Sequence, residues 1–178
     1  MSDARVTLVP LGRAHLARTQ TWANDPELMR LMDRSQRVTE ADHEAWFESL
    51  GRRKDCAYFA IETSAPGPEG SGLRLPQHVG NVWLWAIDRR HRKAELRVVI
   101  GEAEARGQGL GVEAIDQLCR HAFDHLGLHR IYAYVLTINP MAQGAFERAG
   151  FVVEGSLRED RWTGEGFVDA YLLARLKG

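Results

Sequence analysis

Arg106-Gly107-Gln108-Gly109-Leu110-Gly111 lies between a strand-like apolar run at residues 95–100 and an amphipathic segment that begins at Val112. Glycines are therefore concentrated where a strand is expected to pass into a helix. The first turn of a helix carries backbone N–H groups without intrahelical partners and a partial positive charge, so it attracts anions. Glycine lets a ligand approach the main chain closely and adopts positive φ without strain. The stretch predicts either a tight structural turn or a phosphate site, and its context must decide.

Two better-known phosphate-binding loops do not fit this stretch. A P-loop ends in Gly-Lys-Ser/Thr, whereas this chain continues as Leu110-Gly111-Val112. A dinucleotide-binding fingerprint reads G-x-G-x-x-G and needs an acidic residue about twenty positions later. Here the glycines are spaced G-x-G-x-G, and His129-Arg130 occupies the position where the acidic residue is expected. A nucleotide-binding module of either kind is therefore disfavoured.

The composition predicts one compact domain spanning residues 1–178. The 178 residues are 44% hydrophobic and 26% charged, which is enough apolar material for a full core. The formal net charge of −1 argues against nucleic acid or an anionic membrane as a partner. Cys56 and Cys119 predict buried, reduced thiols, and no metal site is expected. Because the chain has no apolar signal core and no membrane-length apolar run, we expect a cytoplasmic protein.

Hydrophobic periodicity predicts a mixed α/β order of elements. The predicted strands are residues 6–9, 57–62, 79–88, 95–100, 130–136, 151–154 and 168–176. The predicted helices are residues 13–24, 26–32, 39–50, 112–126 and 141–149. Residues 64–78 contain several prolines and glycines, so they predict a flexible loop, or a flap that faces a substrate.

Two blocks of residues resemble the GNAT superfamily of acyl-CoA-dependent N-acyltransferases. The segment 106–111 matches the signature Arg/Gln-x-x-Gly-x-Gly/Ala between a strand and a helix. Asn139-Pro-Met-Ala142, followed by Phe146-Glu-Arg-Ala-Gly150-Phe151, is similar to the pattern Asn-x-x-Ala…Tyr-x-x-x-Gly-Phe. Residues 87–95, 153–157 and 162–169 further resemble the branch that holds ribosomal-protein alanine, spermidine and amino-sugar N-acetyltransferases.

The resemblance implies an α/β (α+β) single domain. Its central twisted sheet is mixed but mainly antiparallel, has about seven strands, is flanked by helices and splays around a coenzyme. Acetyl-CoA would be the co-substrate, with its pyrophosphate on the glycine loop and its pantetheine arm along the strand before that loop. The positions that match the family's coenzyme-binding residues are Val98, Val99, Ile100, Arg106, Gly107, Gln108, Gly109, Leu110, Gly111, Asn139, Ala142 and Phe146.

The implied activity is transfer of an acetyl group to a primary amine by direct attack in a ternary complex. A protein N-terminus, a polyamine and an amino sugar all remain open as acceptors. An ammonium must lose a proton before it can attack, so a base is needed. Glu95 is the first candidate, since many relatives relay a proton through water there, and a salt bridge to Arg97 or Lys93 is its alternative role. His91 is the second candidate, and its alternative is a solvated turn.

The chain departs from the family pattern where an acid is expected. Many relatives place at Phe146 a Tyr that protonates the departing CoA thiolate, and some place a Ser at Ala142. Either the thiolate leaves without a protein acid, which a thiol pKa of about 8.5 tolerates, or another group substitutes. A non-catalytic acyl-CoA-binding sensor or scaffold is the alternative function.

The acceptor site is expected between the helical insertion and the loops after the third and sixth strands. These regions hold Trp22, Asp25, Trp46, Trp83, Trp85, Glu159, Asp160 and Trp162. Tryptophans beside acids can hold a cationic amine, although core packing and surface charge are the commoner explanation for any single one of them. The expected partners are a small-molecule or peptide amine and, as the resemblance implies, a second copy in a homodimer.

Overall fold

The computed structural model describes residues 5–66 and 74–178. Seven strands and five α-helices follow one another within these ranges, with 3-10 turns at Arg13–His15 and Ala103–Ala105. The elements are β1 (Val6–Pro10), α1 (Leu16–Ala23), α2 (Pro26–Leu31), α3 (Glu40–Leu50), β2 (Ala57–Pro66), β3 (Arg74–Asp88), β4 (Lys93–Ile100), α4 (Leu110–Asp124), β5 (Arg130–Leu136), α5 (Pro140–Arg148), β6 (Val152–Trp162) and β7 (Phe167–Leu176).

The seven strands form one sheet in the order β1-β2-β3-β4-β5-β7-β6. Every neighbouring pair is antiparallel except β4 and β5, which run parallel. Lys93 to Glu95 pair with Arg130 to Tyr132, and the register ends there although both strands continue. The sheet therefore opens between β4 and β5. The mixed, mainly antiparallel and splayed sheet predicted from the resemblance is confirmed.

Helix starts follow local side-chain chemistry. Thr39 forms a capping box with Asp42 at the start of α3, as the sequence predicts. Asn139 caps α5, and Pro140 occupies the first helical position, where its missing N–H costs nothing.

Helix α4 lies against the sheet through an apolar stripe. Its buried residues are Leu110, Ala114, Ile115, Leu118, Cys119, Ala122 and Phe123.

Two predicted boundaries are wrong. Ser64 to Pro66 belong to β2 and Arg74 to His78 to β3, so the predicted loop at 64–78 is in large part a paired ribbon; residues 67–73 lie outside the described ranges. Strand β6 continues to Trp162 instead of ending near residue 154. It is an edge strand with most of its side chains exposed, so it lacks the apolar alternation by which a strand is recognised.

Burial keeps Cys119 protonated, because it raises the pKa of that thiol to about 12. Cys56 is only half-buried, and both cysteines are free thiols. Within the described ranges, every helix is too short or too polar to cross a membrane.

Candidate active site

Three adjoining cavities occupy the opening in the sheet and its flank. A "loop cavity" of about 180 Å³ lies at the glycine loop, and a "central cavity" of about 160 Å³ lies between β4 and β5 beside Glu95 and Phe146. An "aromatic pocket" of about 200 Å³ lies under α1 to α3 beside Trp46 and Trp83. Met32 lines all three, so they adjoin one another, and together they are called the cleft.

The start of α4 presents glycine-rich main chain to the loop cavity. Gly107 and Gly109 have φ of +71° and +81°, a left-handed conformation that residues with a Cβ resist. Gly109 is the N-cap of α4, and Gly107, Gly109, Leu110 and Gly111 line the cavity. The N–H groups of the first turn are therefore accessible to an anion, and a diphosphate fits this site.

Two residues of the predicted coenzyme set have their side chains engaged elsewhere. The Arg106 guanidinium donates to the carbonyl oxygens of Ile100 at 3.0 Å and Gly101 at 2.9 Å, and to Glu27 at 3.1 Å. It ties the loop to the end of β4. Gln108 is absent from the described lining of the loop cavity, and its amide donates to the carbonyl of Glu104.

The remaining members of the set line the cleft. Val98, Val99 and Ile100 pair with β3 on one side, while their other edge faces the gap that β5 leaves. Asn139 caps α5, where its Oδ1 accepts from Ala142 N at 3.1 Å, and it also lines the loop and central cavities. Phe146, 3% exposed, packs against Phe151 beside the central cavity.

The structure brings one of the two candidate bases into the cleft. Glu95 is 7% exposed and lines the central cavity, where its Oε1 accepts from Arg97 Nε at 2.6 Å. His91 lies in the turn between β3 and β4, with a side chain 60% exposed, and its Nδ1 is 2.7 Å from Asp88 Oδ2. It lines none of the three cavities, and its contact with Asp88 holds it in the turn.

Sequence reasoning missed a hydroxyl in the central cavity. Tyr134 on β5 lines it together with Ala142 and Phe146, and among its described lining residues this is the one phenol. Tyr132 and Tyr134 alternate along the strand with apolar residues, and their rings are 5.9 Å apart. The alternation of tyrosines with apolar residues predicts the strand, but it does not indicate which of the two tyrosines lines a cavity.

The aromatic pocket is built from distant parts of the chain. Tyr58 packs edge-on against Trp46 at 5.4 Å and stacks on Trp83 at 5.3 Å. Burial raises the pKa of Tyr58 to about 12, so its phenol stays neutral. His43, 5% exposed, stacks on Trp46, and its Nε2 has no hydrogen-bond partner among the described residues. Burial, and then the nearby Arg34, lower the pKa of His43.

The predicted acceptor set divides in two. Trp22, Trp46 and Trp83 line the aromatic pocket. The other five residues line none of the three cavities; they are Asp25, Trp85, Glu159, Asp160 and Trp162. Sequence reasoning missed Arg34 and Tyr58, because single charged or aromatic residues on separate elements carry no local pattern.

A family model for the acetyltransferase (GNAT) domain matches residues 5–152, well over half of the chain. The chain belongs to the GNAT acetyltransferase family.

Individual relatives agree with this assignment. Spermidine N(1)-acetyltransferase of Vibrio cholerae is 38% identical over 82 residues, which cover 46% of this chain and 47% of that protein. Human alpha/beta-tubulin-N-acetyltransferase 9 is 25% identical over 152 residues, covering 83% of this chain and 72% of that protein. A crystal structure of the Vibrio cholerae spermidine enzyme in complex with CoA and spermine matches with a TM-score of 0.87 at 25% identity, covering 98% of this chain and 96% of that chain. By family and fold, this GNAT protein is an N-acetyltransferase.

Proposed function

We propose that this GNAT protein transfers the acetyl group of acetyl-CoA to a primary amine by direct attack in a ternary complex. The observation that carries the proposal is the glycine loop, which opens into the gap between β4 and β5 beside Glu95. The Vibrio cholerae relative binds CoA and a polyamine on the same fold, which supports a shared cleft for coenzyme and amine.

The main chain would hold the coenzyme. The N–H groups that begin α4 suit its diphosphate, and the free edge of β4 at Val98 to Ile100 suits its pantetheine amides. The oxygen of the thioester gains negative charge as the amine attacks, so a fixed N–H from this edge lowers the barrier. Arg148 lines the loop cavity and has no ion-pair partner in the described ranges, so it is free to meet a phosphate.

Two side chains would move protons. Glu95 takes the proton of the ammonium, directly or through water, while Arg97 holds the carboxylate in place. Tyr134 is the hydroxyl that the central cavity offers to the departing thiolate in place of the missing acid at Phe146. A thiol pKa of about 8.5 makes this second transfer less demanding than the first.

Three further assignments belong to this proposal. The acceptor is a small-molecule or peptide amine, and the compartment is the cytoplasm, where free thiols such as Cys56 persist. We also propose a homodimer, because Val152 on the edge strand β6 and Phe167 on the neighbouring strand β7 are exposed.

The decisive experiment is a calorimetric titration with acetyl-CoA, followed by measurement of thiol release as peptides, polyamines and amino sugars are added. We expect binding and an amine-dependent release of free CoA. Binding without release on any amine would favour the sensor or scaffold. Failure to bind acetyl-CoA would contradict the coenzyme site itself.

A further inference from the structure

The carboxylates that line the central cavity already have partners. Glu95 pairs with Arg97 at 2.6 Å, and Asp33 pairs with Arg161 at 2.9 Å. Arg34 lines both cavities and, among the residues that the structure describes, has no carboxylate within ion-pair distance. The unmatched charge of this part of the cleft is therefore positive.

The aromatic pocket contains no carboxylate in its described lining. Its polar groups include Arg34 and His43, and the lowered pKa of His43 keeps that ring neutral near pH 7. The buried Nε2 of His43 has no hydrogen-bond partner in the described ranges. A buried polar atom that is left unpaired is costly, which points to a ligand that supplies the missing partner.

The acidic residues nearest in sequence are held away from this pocket. Asp42 accepts from Thr39 in the capping box of α3, and Asp25 accepts from the N–H of Leu28 at the start of α2. Glu44 pairs with Arg13 on the outer side of the helical insertion. Among the residues that the structure describes, no carboxylate is thus available to bind the second ammonium of a polyamine beside Trp46, and Arg34 would repel it.

We propose that the acceptor is an amine that also carries an oxyanion close to its amino group and an apolar or aromatic body. Arg34 binds the oxyanion, and the neutral His43 ring supplies a further hydrogen bond. The body packs against the aromatic wall formed by Trp46, Tyr58 and Trp83. Because Arg34 lines the central cavity as well as the pocket, this places the amino group toward Glu95. This substrate class rests on the proposed acetyl transfer. The oxyanion that Arg34 binds can belong to a carboxylate or to a phosphoryl group.

The test compares matched acceptors that differ in the oxyanion. Tryptophan against tryptamine tests a carboxylate, glucosamine 6-phosphate against glucosamine tests a phosphoryl group, and spermidine tests a polyamine. Thiol release gives kcat/KM for each in the wild type, in Arg34→Met, and in Arg30→Met, a matched control on α2 that lines none of the cavities. We expect one oxyanion-bearing member to be preferred, and Arg34→Met alone to reduce that preference roughly 10- to 100-fold, the usual size of a charged hydrogen bond.

A binding measurement separates this inference from the proposed function. Indole-3-propionate carries the carboxylate and the indole without an amine, so its calorimetric binding in the presence of CoA does not depend on turnover. Binding that Arg34→Met abolishes and Arg30→Met retains supports the inference even if no amine releases thiol, in which case only acetyl transfer fails. Thiol release that favours tryptamine, glucosamine or spermidine and is unchanged in Arg34→Met overturns the oxyanion acceptor while acetyl transfer stands. Absence of both turnover and indole-3-propionate binding overturns it as well.

Discussion

Gly109 offers a test of the glycine loop with a control that matches its backbone. Its φ of +81° makes Gly109→Ala cost about 1–2 kcal/mol of stability, and the new methyl group stands at the start of α4. Gly127 has φ of +66° and open space around it, and it lies beyond the end of α4 opposite the loop, so Gly127→Ala carries similar strain away from the loop. We expect calorimetry to show acetyl-CoA affinity reduced roughly tenfold in Gly109→Ala only. Equal losses in both variants would mean that strain, not the loop, sets affinity.

Glu95→Gln separates proton transfer from packing. The amide fills the same volume and can still contact Arg97, but it cannot accept a proton at neutral pH. We expect kcat to fall roughly 100-fold, a common size for general-base catalysis, with acetyl-CoA affinity little changed. Arg97→Gln is the comparison, because it removes the ion pair and keeps the carboxylate. A rate and pH profile that stay unchanged in Glu95→Gln would leave Glu95 a structural role only.

The sequence predicts the residues that belong to a local pattern. The glycine loop, Glu95 and Asn139 occupy the predicted cleft because the strand-loop-helix order places them there. Arg106 is part of the same motif, yet its side chain binds the end of β4, since carbonyl groups at a strand end need donors. Arg34 and His43 were missed, because they reach Tyr58 only after the helical insertion folds over the sheet.

The junction between β4 and α1 depends on one glycine. A Cβ at Gly101 would lie 1.9 Å from the Trp22 ring, which is far inside contact distance. Gly101→Ala therefore displaces Trp22, a buried residue of the aromatic pocket. We expect urea unfolding to show about 1–3 kcal/mol of lost stability. Gly155→Ala on β6, where nothing lies within 4 Å, is the control and should change stability much less.

The strands illustrate how burial decides what a sequence reveals. Strands β4 and β5 lie in the middle of the sheet, and their apolar runs predict their bounds to within a few residues. Strand β6 lies at the edge and carries the charged run 158–161, so most of it was missed. Glu159, with φ of +50° in the irregular part of its pairing with β7, further breaks the alternation.

Neutral histidines make the stability of the folded chain depend on pH. Burial is the first cause that lowers the pKa of His43, His78 and His121 below the ordinary value of 6.5. Below pH 6.5 the unfolded chain binds protons that the folded chain excludes, so the free energy of unfolding falls as pH decreases. We expect urea unfolding to show lower stability at pH 5.5 than at pH 7.5. Ordinary carboxylates stay ionised at both pH values, so the difference reports mainly on histidines. His43→Phe should reduce this difference; an identical difference would contradict the role of His43.

The short parallel register between β4 and β5 leaves the interior of the sheet incompletely hydrogen-bonded. A pantetheine arm that pairs along β4 would act as a partial eighth strand. The coenzyme would then supply hydrogen bonds that the sheet itself lacks. Ligand at a hundred times its Kd adds about 2.7 kcal/mol to the folded state, which is a large fraction of the stability of an ordinary domain. We therefore expect the midpoint of thermal unfolding to rise with acetyl-CoA and hydrogen exchange to slow along β4. When the cellular concentration of acetyl-CoA is low, the folded chain would lose this stabilisation and would be degraded sooner.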